Sequence, residues 1–145
     1  MIDRYARDIG AAALEEFLEG SITNEEYEEK YPRSENDPAL REIYLQVWFF
    51  YSDIKKHKLI GKNSLNDEQS KLVERCILFL KSDLEFEWRP QKLRPLQGIL
   101  RLFGFERETE EMDTGDKDVW PFYTVERYES MAVATTDNRN GSHRG

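Results

Sequence analysis

Three helix starts, each written in local side-chain chemistry, constrain this chain more than any other feature. Thr23-Asn24-Glu25-Glu26 has the form of a capping box, in which the threonine hydroxyl and a glutamate three residues on satisfy each other's backbone N–H groups. Ile22 and Tyr27 flank it as a hydrophobic staple. Asp37-Pro38 sets an N-cap acid before a proline at the first helical position, where a missing N–H does no harm. Asn66-Asp67-Glu68-Gln69 repeats the box with glutamine as the reaching residue.

Apolar residues follow at three- and four-residue steps, as helices facing a core require. Asp3 stands as an N-cap before Tyr5, Ile9, Ala13, Leu14 and Phe17, and Gly20 sits where a left-handed residue ends a helix. Leu40, Ile43, Tyr44, Val47, Trp48, Tyr51 and Ile54, with Phe50, cover most of a third helix, which is therefore expected at the centre. Lys55-Lys56-His57-Lys58 suits its C-terminus. Leu72, Val73, Cys76, Ile77, Leu80 and Leu84 form the fourth stripe. The expectation is an all-α, compact helical bundle with main helices near 3–19, 24–31, 38–57 and 67–84.

Beyond Leu84 the pattern loosens into an irregular C-terminal segment with one or two short helices. Leu84, Phe86 and Trp88 alternate, as an extended stretch or a last helical turn does. Pro90 and Pro95 mark a loop, 96–103 reads as a short helix, and 106–118 as an acidic loop. Val119 to Tyr123 is an apolar island, and Thr124 caps a final helix reaching about Ala134. A single helical domain over 1–134 with a flexible tail at 135–145 is expected.

Charge and cysteine content narrow the function classes. The 145 residues carry 21 Lys+Arg against 29 Asp+Glu, a net charge of −8. Phosphate neutralisation drives general nucleic-acid binding, so such a chain is a poor general binder of DNA or RNA. The lone Cys76 cannot close an internal disulfide. No run of 18 apolar residues occurs, and acids occupy the N-terminus where a signal peptide is basic, so a cytoplasmic protein is expected.

Candidate catalytic groups are few. His57 lies in a basic stretch and His143 in the expected tail. Cys76 falls on an apolar face, where cysteines are inert core residues more often than nucleophiles. Asp83, Glu85 and Glu87 share one solvent face if extended and different faces if helical, which suits solvation better than paired acid–base chemistry. No zinc-ligand spacing or phosphate-cradling glycine loop occurs. The expectation is a non-enzyme with no catalytic residues, metal or cofactor.

Uneven charge says more. Twelve acids against five bases precede Ile43, and Glu25, Glu26, Glu28 and Glu29 crowd the second helix. This is either a solubilising surface paired against the basic stretches or a docking face for a basic protein. Trp120-Pro121-Phe122 either packs across the bundle or anchors a partner of a regulatory or adaptor module. Arg89, Lys92, Arg94 and Arg101 offer an alternative contact to RNA, with Trp88 as the sole neighbouring stacking platform.

The stretch Glu16-Phe17-Leu18-Glu19-Gly20-Ser21-Ile22-Thr23-Asn24-Glu25-Glu26-Tyr27-Glu28-Glu29-Lys30-Tyr31 resembles the opening of small bacterial immunity proteins of the colicin-D and contact-dependent-inhibition types. There a phenylalanine-bearing helix leads through glycine into a second helix with an acidic-aromatic start. The resemblance implies a cytoplasmic binding protein that neutralises a toxin, and the charge distribution offers Glu25, Glu26, Glu28 and Glu29 as the face that would meet a basic one. The remainder, including Leu78 to Trp88 and Trp120-Pro121-Phe122, is similar to small bacterial proteins of no assigned activity.

Overall fold

A computed structural model of the chain describes residues 1–52, 54–88 and 115–141. Among these, five α-helices and no strand occur: α1 (Arg4–Leu18), α2 (Asn24–Lys30), α3 (Pro38–Trp48), α4 (Asp67–Lys81) and α5 (Val125–Gly141). Two 3-10 turns, Gly61–Asn63 and Lys117–Val119, precede α4 and α5. The fold is all-α, as expected. None of the described helices is long and apolar enough to cross a membrane.

The capping signals act where the sequence places them. Asp3 caps α1 by accepting from the Ala6 N–H, and both capping boxes close reciprocally, at Thr23–Glu26 and Asn66–Gln69. Asp37 caps α3 with Pro38 in the first turn. Each such cap is worth about 1 kcal/mol. Ile22 and Tyr27, the staple pair, are both buried.

The central pair is α1 with α4, which pack along each other more extensively than any other two helices described. This corrects the expectation that the third helix is central. Small residues allow the approach: Ala6, Gly10 and Ala13 line α1, and a Cβ on Gly10 would lie 3.0 Å from Leu40 and 3.4 Å from Leu80. Phe17 and Leu14 fill the core beside them, while Tyr5, expected inside, stands in solvent. Ala13, Leu14 and Phe17 of the expected stripe are buried and Ile9 is half-buried, and the buried face widens to include Ala6, Arg7, Gly10 and Ala11.

Helix α3 stops at Trp48, nine residues before the expected end at position 57. Four aromatic residues in a row, Trp48 to Tyr51, are mediocre helix formers, so tertiary contacts decide their conformation. The side chain of Asn24 takes over the backbone groups that a longer helix would pair. Its Nδ2 donates to the Ser52 and Lys55 carbonyls, and its Oδ1 accepts from the His57 N–H at 2.9 Å. Lys55, Lys56, His57 and Lys58 thus lie in a pinned connection, not at a helix end.

After α4, residues 83–88 run without helix. Phe86 and Trp88 turn inward while Asp83, Glu85 and Glu87 face solvent, which is the extended alternative. Helix α5 continues to Gly141, beyond the expected end at Ala134 and into the span read as a tail. The expected helix at 96–103 and most of the acidic loop lie outside the described residues.

Arg7 and Asp37 join three helix ends. Neither side chain has exposed surface, and the guanidinium grips the carboxylate with Nε–Oδ2 at 2.6 Å and Nη2–Oδ1 at 3.1 Å. Arg7 Nη1 also donates to the Ser82 and Leu84 carbonyls just past α4, at 3.0 and 2.8 Å. Arg4 donates to the carbonyls of Leu80 and Ser82. Arg4 thus satisfies the Leu80 carbonyl in the last turn of α4, which no intrahelical N–H can reach, and both guanidiniums share the Ser82 carbonyl at the helix cap.

Candidate functional site

Helix α2 is oriented by two tyrosines on its inner side. Tyr27 is fully buried and stacks on Phe17 with ring centroids 4.6 Å apart. Tyr31, one turn on, donates its hydroxyl to the Leu40 carbonyl at 2.7 Å. With these side chains inward, Glu25, Glu26 and Glu29 are exposed and Glu28 is half-buried.

The four glutamates are not equivalent. Glu26 accepts from the Thr23 N–H at 3.1 Å and from the Thr23 hydroxyl at 3.2 Å. The backbone bond above all holds its carboxyl below the usual range. Glu28 accepts from the Tyr51 hydroxyl at 2.8 Å. Glu25 and Glu29 have no hydrogen bond or ion pair among the described residues, so only their charge faces outward without an internal role. Lys30 is already matched to Glu16 at 2.9 Å.

Beside α2 lies a cleft of about 510 Å³ between residues 31–35 and α3. Tyr31, Leu40, Tyr44 and Leu45 line it, with Glu28, Glu35, Arg33 and Arg41 among its polar groups. Half of the lining is polar or charged, so the cleft is mixed, with its apolar part at Tyr31, Pro32, Leu40, Tyr44 and Leu45. The arrangement can receive an apolar side chain while the α2 glutamates meet cations around it.

Of the two alternatives for the Trp120–Phe122 segment the structure shows packing across the bundle, and Phe122, offered as a partner contact in the other, has no exposed surface. Phe122 is fully buried, with its ring edge-on to Phe79 at 5.3 Å and its carbonyl accepting from Trp88 Nε1 at 3.2 Å. Trp120 is half-buried, edge-on to Phe86, and its carbonyl accepts from Arg75 Nε at 3.0 Å. Helix α4 and the inward Phe86 leave this segment no free apolar face at Phe122. The alternative RNA contact, Arg89, Lys92, Arg94 and Arg101, lies outside the described residues.

The titratable groups considered for chemistry are held apart or neutralised. Asp83 pairs with Arg4 at 3.2 Å, Glu85 with the N-terminal amine at 3.5 Å, and Glu87 with Arg127. Cys76 is fully buried, and burial pushes its thiol up, away from the thiolate that a nucleophile needs. His57 Nδ1 lies 2.7 Å from the Lys55 carbonyl. Among the described residues no group of three His, Cys, Asp or Glu side chains is placed to hold a metal ion.

Residue-level reading missed the Arg7–Asp37 pair. One signal for it exists. Arg7 shares a helical stripe with Gly10, Ala11 and Leu14, so a charge sits on a face otherwise made of small and apolar residues. Such a charge needs a buried partner of opposite sign, and Asp37 is also an N-cap. Comparison with family models, curated proteins and solved structures gives no match for the chain.

Proposed function

We propose that this chain is a non-enzymatic binding module that receives a basic protein on α2, with an apolar side chain of that protein seated in the α2–α3 cleft. The observation that carries the reading is the pair Glu25 and Glu29, exposed on a helix whose opposite side is pinned and uncommitted to any described partner. Carboxylates of this kind steer a cationic partner without first breaking an internal bond. The cleft beside them supplies the apolar contact that long-range attraction lacks. The resemblance of residues 16–31 to bacterial immunity proteins points to a toxin as the partner class. Such a module belongs in the cytoplasm, where the lone Cys76 stays reduced.

Paired affinity capture tests this. Wild-type protein and the Glu25→Lys/Glu29→Lys variant are immobilised, exposed to lysate of the source organism, and the captured molecules identified by mass spectrometry. The expected result is a basic protein retained by the wild type and lost from the variant, whose melting curve stays close to the wild type. Glu25 lies in the first turn of α2, so its reversal costs only about 0.3–1 kcal/mol through the helix dipole. Capture of nucleic acid alone, or of a protein that ignores the reversal, contradicts the reading.

A further inference from the structure

The end of α3 and its connection to α4 expose four large apolar side chains: Trp48, Phe49, Ile54 and Ile60. Ile54 is 88% exposed and Phe49 57%, values far from what a core-facing stripe gives. The same connection carries Lys55, Lys56, Lys58 and Lys62, all exposed and none in an ion pair among the described residues. It is not a loose loop. Leu59 is buried, and Asn24 holds the backbone at Ser52, Lys55 and His57.

Asn24 is also the first residue of α2, and its own N–H donates to the His57 carbonyl at 2.9 Å. The lysine strip is therefore fastened directly beside the α2 glutamates. Lys56 is near enough to Glu26 to help hold that carboxyl low, after the larger effect of the Thr23 backbone bond. The connection thus carries a positive strip and exposed apolar side chains, and Asn24 fastens it to the helix that bears Glu25 and Glu29. A bilayer of anionic lipid, or a nucleic acid, presents one sign and would meet repulsion from Glu25 and Glu29. A second copy of this chain presents both signs. In an isologous pair the lysines of each copy can meet the glutamates of the other.

We propose that a second copy of this chain covers the α3–α4 connection in an isologous dimer, with Ile54 and Phe49 near the axis and Lys55, Lys56 and Lys58 facing Glu25 and Glu29 of the other protomer, so that the dimer and the basic partner of the proposed function compete for the same two carboxylates. The chemistry asks for nothing beyond what the chain contains: apolar burial at the centre and matched charges around it.

Sedimentation velocity of the full chain, from about 1 to about 200 μM, reads the assembly directly by mass action. The expected result is a monomer–dimer equilibrium that shifts towards monomer with added salt. Ile54→Asp changes a residue with almost no internal contact, and it should weaken the dimer by about tenfold or more. The Lys55→Glu/Lys56→Glu/Lys58→Glu variant and the Glu25→Lys/Glu29→Lys variant should each be monomeric alone and form a mixed dimer together. Circular dichroism of every variant checks that the helices are intact. A wild-type monomer across the range overturns the proposal. So does a dimer indifferent to Ile54→Asp and to the reversed charges, since it must use another surface. Ile54→Asp leaves Glu25 and Glu29 in place, so loss of the dimer and loss of basic-partner capture are read separately.

Discussion

A guanidinium without exposed surface must place its donors on partners inside the protein. Arg7 makes four hydrogen bonds, two to Asp37 and two to carbonyls after α4, and its charge also lies 5.1 Å from the centre of the Phe79 ring. Removing one member strands the other. Arg7→Met is expected to lower stability by about 3–5 kcal/mol in urea unfolding, whereas Arg7→Met/Asp37→Asn recovers part of that loss. A double variant no more stable than Arg7→Met contradicts the assignment of a coupled pair. Acid gives a second readout. Burial pushes the Asp37 carboxyl up, but the bonds from Arg7 and from the Asp3 N–H outweigh it and hold the carboxyl below its ordinary 3.8. The folded value is thus the lower one. The contribution is complete above the unfolded value and lost as pH falls through the folded one, so acid steepens unfolding in the wild type. Unfolding of the double variant between about pH 5 and pH 2 should show a shallower loss of stability.

Helices end where local chemistry and tertiary contacts agree, and the two glycines with positive φ show the difference. Gly20 follows α1 with φ +77°, and a Cβ there would stand 2.5 Å from Ile60 Cγ2. Gly61 opens the turn before α4 with φ +56° and has open space around it. Gly61→Ala pays only the left-handed backbone penalty, about 1–2 kcal/mol. Gly20→Ala adds displacement of Ile60, so its melting temperature should fall further; equal losses contradict the packing of Ile60 on that turn. Helix starts were legible because a capping box is a short-range device: Thr23–Glu26 and Asn66–Gln69 need no distant residue to form. The end of α3 was not legible, because Asn24 settles it from 28 to 33 positions away. The burial of Phe122 depends likewise on Phe79 and Trp88, and periodicity around Trp120 carries no trace of them. Of the candidate site, the sequence shows the acidic crowding of α2. Which glutamates are free depends on Tyr51 and on the inward turn of Tyr27 and Tyr31, and so appears only in the fold.

At the scale of the whole molecule, the Arg7–Asp37 clasp and the Asn24 pin hold a charged surface in a fixed shape. The clasp ties the start of α3 to the end of α4, and the pin ties the α3–α4 connection to α2. Net charge of −8 then acts over distance, while the cleft and the apolar connection act only on contact. These two ranges predict different kinetic signatures. Stopped-flow association of the captured basic protein with the wild type and with Glu25→Lys/Glu29→Lys, over a salt series, separates them. The association rate for the wild type should fall about tenfold or more as ionic strength rises from about 0.02 M to about 0.5 M, with dissociation changing much less. The variant should associate slowly throughout and show little of that salt dependence. Association that is insensitive to salt, or identical in the two proteins, contradicts docking on the acidic helix.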